Sequence, residues 1–309
     1  MNTEQALAAT LNKPDLKVLS GSRLYGTSTP DSDYDYRGFV VPPIEYLIGL
    51  RRFDHQIVRE PDIVLYSIRR FFELLIAGDP AVYEILFAPE QNIESASFVG
   101  NMVLAHRDVF ACKQFARRIR GYAHSEWRKV TGTQLVPVKR TPTEDQVIEN
   151  IRETFMLPKP EMDEVIRLLF LHHPREIRPA RRKLGAKRKE QIERFGYCTS
   201  SACHSIRLLG QLAELMATGQ MTFPRPNCEQ LLSIKRGEIP LRDVVLLYDS
   251  LDEAAVIAEE ESSLPNRASI KDIWRLYHRV MAETFWSNEY IKRYYQEYHG
   301  NFRETKDAK

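Results

Sequence analysis

Short apolar runs near the start of the chain give way to longer repeats with three- and four-residue spacing. Leu16 to Leu19 is an apolar run that stops at Gly21-Ser22, and Phe39-Val40-Val41 is a second. Both predict strands. Just ahead of the second run polar and aromatic residues alternate. Strand side chains change face at each residue, so Asp33, Asp35 and Arg37 are expected on one side and Tyr34 and Tyr36 on the other. Asp62-Ile63-Val64-Leu65-Tyr66-Ser67 predicts a third strand. After it Ile68, Phe71, Phe72, Leu74 and Leu75 recur at helical spacing until Gly78-Asp79-Pro80, with Phe71 and Phe72 expected in the core. Ala81 to Phe87 predicts a second helix, stopped by Pro89.

From Val99 onward the pattern reads as helical. Phe110, Phe115 and Ile119 recur with Arg117, Arg118 and Arg120 interleaved. Ile206, Leu208, Leu209, Leu212, Leu215 and Met216 form an apolar stripe that ends at Gly219. Val244 to Glu261 and Ile270 to Tyr298 predict two more helices. Pro137, Pro142, Pro158 and Pro160 mark loops or a hinge between them and the first helical run. The expected architecture is α+β: an N-terminal domain, 1–98, with a mixed sheet flanked by helices, then a mostly α-helical domain, 99–309.

At 309 residues the chain is long enough for a substantial core and two domains. A net charge of +2 does not announce a nucleic-acid binder. No run approaches the length of a membrane span and no basic-then-apolar leader is present, so no membrane partner is expected. Cys112, Cys198, Cys203 and Cys228 lack paired C-x-x-C spacing. They indicate neither a zinc site nor a disulfide framework, and the reducing cytoplasm is the natural compartment. Cys203 beside His204 reads as a small buried hydrophobe next to a polar side chain, not as a ligand pair.

The chemistry concentrates between Gly21 and Gly38, which reads Gly-Ser-Arg-Leu-Tyr-Gly-Thr-Ser-Thr-Pro-Asp-Ser-Asp-Tyr-Asp-Tyr-Arg-Gly. Two carboxylates opposite a Gly-Ser turn suit Mg²⁺ and a nucleoside triphosphate. Attack on an α-phosphate builds charge at both ends of the displacement, and two divalent ions about 3.5–4 Å apart can stabilise both ends. Mg²⁺ takes hard oxygen ligands from a few carboxylates and from the phosphates themselves. Without metal the aspartates would repel one another and one pKa would rise. Gly21 would let the backbone approach phosphate, and Ser22 adds a hydroxyl and an amide donor. A surface hairpin with Asp and Ser in turns and caps is the plainer alternative. Gly21-x-x-x-x-Gly26-Thr27-Ser28 has the glycine spacing of a P-loop, but Thr27 stands where the phosphate-reaching lysine belongs, so a P-loop is not expected.

The whole array resembles the DNA polymerase β-like nucleotidyltransferase superfamily, with its Gly-Ser turn and an Asp-x-Asp about a dozen residues later. Sites of that kind need a third carboxylate from a neighbouring strand. Asp62 is the candidate, with Glu60 behind it because Pro61 cannot donate to a ladder. More closely, the chain is similar to the RNA repair pathway DNA polymerase β family. The Gly-Ser-x-x-Tyr-Gly…Ser-Asp-x-Asp-x-Arg-Gly block is seen from Gly21 to Gly38, Asp-x-x-x-Tyr-Ser from Asp62 to Ser67, and Glu84-Ile85-Leu86-Phe87 after Gly78-Asp79-Pro80. Gly196-Tyr197…His204-Ser205-Ile206-Arg207-Leu208-Leu209 and Arg225-Pro226…Ile234-Lys235-Arg236-Gly237 follow. The blocks span roughly residues 16 to 255. Two departures stand out: Cys198-Thr199-Ser200-Ser201-Ala202 replaces the family's usual Asp-Thr-Lys-His-Ala, and Asp79 replaces an asparagine.

The resemblance implies a Mg²⁺-dependent nucleotidyltransferase, with two ions held by Asp33, Asp35 and Asp62 and Mn²⁺ as a substitute. Asp62 would also take the proton of the attacking hydroxyl. Gly21, Ser22, Arg23 and Tyr25 would bind the nucleotide, ATP or another triphosphate. His204 and Arg207, three apart on one helix face, would reach the triphosphate or the acceptor. The expected acceptor is an RNA 3′-hydroxyl. Arg175, Arg178, Arg181, Arg182, Lys183, Lys187, Arg188 and Lys189 crowd one segment and could neutralise nucleic-acid phosphates, or could form a solvated helix face. The aromatic residues Trp274, Tyr277, Phe285, Trp286, Tyr290, Tyr294, Tyr295 and Tyr298 could stack bases, but their helical spacing favours core packing. Alternatives are a protein acceptor of the toxin–antitoxin kind, a small-molecule acceptor, an RNA ligase as partner, or a catalytically silent RNA-binding sensor with the same fold.

Overall fold

A computed structural model describes residues 3–47, 51–59, 62–131, 133–137, 142–155, 162, 165, 175–179 and 185–287. After helix α1 (Thr3–Asn12) the chain enters β1 (Leu16–Leu19), the short helix α2 (Gly21–Tyr25), β2 (Asp35–Val40), α3 (Ile44–Leu47), β3 (His55–Arg59) and β4 (Asp62–Ser67). Helices α4 (Ile68–Ala77) and α5 (Pro80–Leu86) precede β5 (Ile93–Ala96), α6 (Phe98–Ala105) and α7 (Gln114–Trp127). The five strands form one sheet in the order β3-β4-β2-β1-β5. Only β2 and β4 run parallel; every other neighbouring pair is antiparallel. The fold is therefore α+β, a mixed sheet flanked by helices and followed by a mostly helical region.

One sheet face carries Leu16 and Val18 of β1 and Phe39 of β2, all fully buried. Phe39 meets Phe71 of α4 with ring centroids 4.8 Å apart. The helix α4 buries Ile68, Phe71, Phe72 and Leu75, as its spacing predicts. It starts where the Ser67 hydroxyl accepts from the Arg70 amide and ends at Gly78, whose φ of 74° favours a residue without a side chain. Asp79, the departure from the family's asparagine, caps α5 by accepting from the Ala81 amide at 3.0 Å. Either residue can make that cap. Gly38 has another use: a Cβ there would lie 1.8 Å from the Leu16 carbonyl oxygen.

Contacts divide the chain into two units, residues 1–124 with 202–309, and residues 125–201. In the first, the apolar stripe ending at Gly219 lies on the helix Thr199–Thr218, and the later helices run Cys228–Arg236, Leu241–Glu261 and Ile270–Ser287. Phe72 packs edge-on against Tyr277, so this aromatic is part of the packing, while Trp274 is 53% exposed. Tyr290, Tyr294, Tyr295 and Tyr298 lie outside the described residues.

The region after Val99 is mostly helical, as expected, but the second unit adds a pair of strands that the pattern does not predict. Its strands β6 (Thr133–Pro137) and β7 (Arg175–Pro179) form a two-stranded antiparallel sheet, with Gln134 opposite Arg178. The basic segment therefore begins as a strand, not as a helix face. It continues into the helix Ala186–Phe195, where Lys187 is exposed. Arg181, Arg182 and Lys183 lie outside the described residues. The edge strands β3 and β5 were also not foreseen, because each is short and only weakly alternating.

Candidate active site

Three chain segments meet at one end of the sheet: the exit of β1 with α2, the entry of β2, and the entry of β4. The parallel pairing places Asp35 directly opposite Asp62, each the first residue of its strand. Residues paired across a ladder project to the same face, so the two carboxylates rise side by side. Asp33 is exposed in the loop ahead of β2. Alternation thus governs Asp35 and Arg37, but not Asp33 as the sequence pattern predicts.

Gly21 closes the site from below. It sits at φ +64°, and a Cβ would lie 2.0 Å from Asp35 Oδ2, so the Asp35 carboxylate rests directly on this backbone. Ser20 fixes that approach, because its amide and its hydroxyl both donate to the Asp35 carbonyl, at 2.8 and 3.1 Å. Burial, followed by the neighbouring charge of Asp62, pushes the Asp35 carboxyl above its usual range. Arg37 opposes this and Asp33 adds to it.

Arg23 fastens the Asp33 loop. Its Nη2 donates to the Ser32 carbonyl at 2.8 Å and its Nε to the Asp33 carbonyl at 3.3 Å. The same guanidinium lies 3.7 Å from the centroid of the Tyr34 ring. Ser22 is half-buried one residue into α2, and its carbonyl accepts from the Thr27 amide at 2.8 Å.

Behind α2 lies a buried ionic cluster. The Tyr25 hydroxyl donates to Glu84 Oε2 of α5 at 2.5 Å. Arg207 donates to the other Glu84 oxygen, to Gln211 Oε1 at 2.8 Å and to His204 Nδ1 at 3.1 Å. Its guanidinium also stacks 3.8 Å from the centroid of the Tyr25 ring. Burial alone would raise the Glu84 carboxyl, but the Arg207 charge and the hydrogen bonds from Tyr25 and Arg207 hold it below its usual value. Burial drives the Tyr25 phenol far above its own. Tyr25, His204 and Arg207 thus come together, with Arg207 buried and its donors committed to protein groups.

Two further residues grip α2 from far along the chain. The Arg225 amide donates to the Tyr25 carbonyl at 3.0 Å, and Lys235 Nζ to the Thr27 carbonyl at 3.0 Å. Sequence reasoning quoted Glu84, Arg225 and Lys235 only as members of family blocks. Polar residues placed inside apolar runs were the available signal. Glu60 lies outside the described residues.

The donor set is chemically suited to a hard divalent cation: carboxylate oxygens only, with the ionised form of Asp35 disfavoured by burial and then by the charge of Asp62. Among the described residues, no group of three or more His, Cys, Asp or Glu side chains stands together as a metal site. In the second unit the altered Cys198–Ser201 block is tied down locally. Cys198 is fully buried, its thiol donates to Gln191 Oε1, and Gln191 in turn donates to Ser200 Oγ at 2.7 Å. All four cysteines are free thiols.

No described helix is long and apolar enough to cross a membrane. No solved structure matches the chain. It is similar to the "uncharacterized 38.9 kDa protein in nrdC-mobD intergenic region" of Enterobacteria phage T4, 24% identical over an alignment of 347 residues, covering 94% of this chain and 99% of the phage protein. Residues 5–238 match RlaP, and that match takes in the Gly-Ser turn, all three aspartates, Glu84 and Arg207. On that extent, the chain belongs to the RNA repair pathway DNA polymerase beta family.

Proposed function

We propose that this protein transfers a nucleoside monophosphate from a nucleoside triphosphate to an acceptor hydroxyl, releasing pyrophosphate, with an RNA 3′ end as the acceptor. The observation that carries the reading is the register pairing of Asp35 with Asp62, beside a glycine on which the Asp35 carboxylate rests. Asp33, Asp35 and Asp62 would hold Mg²⁺, or Mn²⁺ in its place. Once bound, the metal would supply positive charge for the α-phosphate and for the two oxygens being exchanged.

The chain's own groups do the rest. Gly21 leaves room for the Asp35 carboxylate against the backbone, and Ser22 adds a hydroxyl donor. Asp62 is exposed at the strand entry and accepts the proton of the acceptor hydroxyl. That oxygen bonds to the α-phosphorus while the bond from phosphorus to the β-bridging oxygen breaks, and pyrophosphate leaves with the electron pair. Arg23 and the Tyr25–Glu84–Arg207 cluster keep the Asp33 loop and α2 in register with the sheet. The RNA repair family supports an RNA acceptor, as does the basic segment containing Arg178 and Lys187. Free thiols and the lack of a spanning helix among the described residues are consistent with a cytoplasmic setting.

The test is incubation with each α-³²P-labelled nucleoside triphosphate, Mg²⁺, cellular RNA and cellular protein, beside an Asp33→Ala/Asp35→Ala variant. Label in RNA that the variant fails to transfer is the expected result. Label in a protein band would replace RNA by a protein acceptor. No label, from protein that still binds nucleotide, would favour a silent sensor.

A further inference from the structure

Four arginines surround the site, and three of them are held by protein groups. Arg23 holds the Ser32 and Asp33 carbonyls. Arg207 holds Glu84 and Gln211. Arg225 holds Glu214 and the Thr222 carbonyl. Arg37 differs: it is half-buried in the middle of β2, opposite Val64, and makes no side-chain hydrogen bond or ion pair among the described residues. Nearby anions are already occupied or held apart from it. Both Glu84 oxygens are taken by Tyr25 and Arg207, and Asp35 rests on Gly21.

A guanidinium is always charged and presents five donors in a planar fork that matches phosphate. Placing one partly out of water without partners is costly unless a ligand completes it. Its field reaches across the site, stabilising the ionised forms of Asp35, Tyr25, Glu84 and Tyr66. Position indicates the ligand. Arg37 follows Asp35 by two residues on the same face, about 7 Å along the strand. A group anchored at Asp35 extends over Arg37 if it is a polyphosphate, and falls short if it is a single phosphate.

We propose that Arg37 is a polyphosphate-binding residue, which takes the β- and γ-phosphates of the nucleotide and then the leaving pyrophosphate. This rests on the nucleotidyl-transfer reading above, and the experiment separates the two. Full-length protein, Arg37→Gln and Arg37→Lys are compared by calorimetry for binding of an α,β-methylene triphosphate analogue, the matching monophosphate and inorganic tripolyphosphate. Circular dichroism and thermal melts run on each. Arg37→Gln should weaken the triphosphate analogue and tripolyphosphate by at least about tenfold, the scale of a charge-assisted hydrogen bond, and leave the monophosphate unchanged. Arg37→Lys should lie between. A Gln variant that binds both polyphosphates like the parent overturns the proposal, as does an equal loss of all three ligands. If the Gln variant does not fold, the Lys variant decides: unchanged polyphosphate affinity overturns, selective weakening supports. A parent that binds tripolyphosphate but no nucleotide refutes the nucleotidyl-transfer reading and leaves Arg37 to be judged on tripolyphosphate. A parent that binds neither refutes both.

Discussion

At the scale of single residues, the site is held in tension by its own charges. Asp35 sits against Gly21, partly out of water, with Asp62 in register beside it. Its carboxyl pKa is raised, so the folded state binds its proton more tightly than the unfolded chain does. The stability that comes with this is present below the ordinary carboxylate range and is lost as pH rises through the raised value. Asp35→Asn should therefore melt higher than the parent at neutral pH in metal-free buffer. The gain should vanish in acid, which melts across a pH series will read. The same variant should lose more than about 100-fold in nucleotidyl transfer, because even partners one shell out from a metal cost 10–100-fold. A variant that keeps its activity would remove Asp35 from the site.

At the scale of elements, the short helix α2 has little stability of its own and is defined by what surrounds it. Glu84 is the central contact, joining Tyr25 of α2 to Arg207 of the helix Thr199–Thr218. Glu84→Ala would leave the Arg207 charge buried and unpaired, at a cost of about 3–5 kcal/mol by denaturant unfolding. Glu84→Gln provides the pH check. Because the Glu84 pKa is lowered, its contribution is present above the ordinary glutamate range and is lost as pH falls through the lowered value. The stability gap between parent and Gln variant should shrink as pH drops below that value. A gap of constant size would mean that packing, not charge, accounts for the loss.

At the scale of the whole molecule, Asp33, Asp35 and Asp62 belong to one unit and the basic segment to the other. Arg178→Glu combined with Arg182→Glu should weaken RNA binding and flatten its salt dependence, by about 0.7 in the log–log slope for each phosphate contact removed. Filter binding over a salt series measures this, and unchanged binding would sink the RNA role of the segment. What the sequence by itself determined was local. The strands carrying Asp35 and Asp62 and the helices α4 and α5 follow from alternation and helical spacing, each set by neighbours within a few residues, whereas the Gly-Ser turn expected at Gly21 is the start of helix α2. The family blocks could be read for the same reason. Tertiary structure alone decided the rest. That β2 and β4 are adjacent and parallel, so that Asp35 faces Asp62, depends on strand pairing between distant segments, which no local pattern encodes. The clamp of Glu84, Arg207, Arg225 and Lys235 on α2 joins residues 59 to 208 positions apart through partly buried hydrogen bonds. Among the described residues, the strands β6 and β7 pair with each other alone, across a separation that periodicity cannot bridge. Arg37 shows the division most plainly: its place on the face of Asp35 follows from alternation, but its lack of a side-chain partner among the described residues depends on how distant segments pack around it.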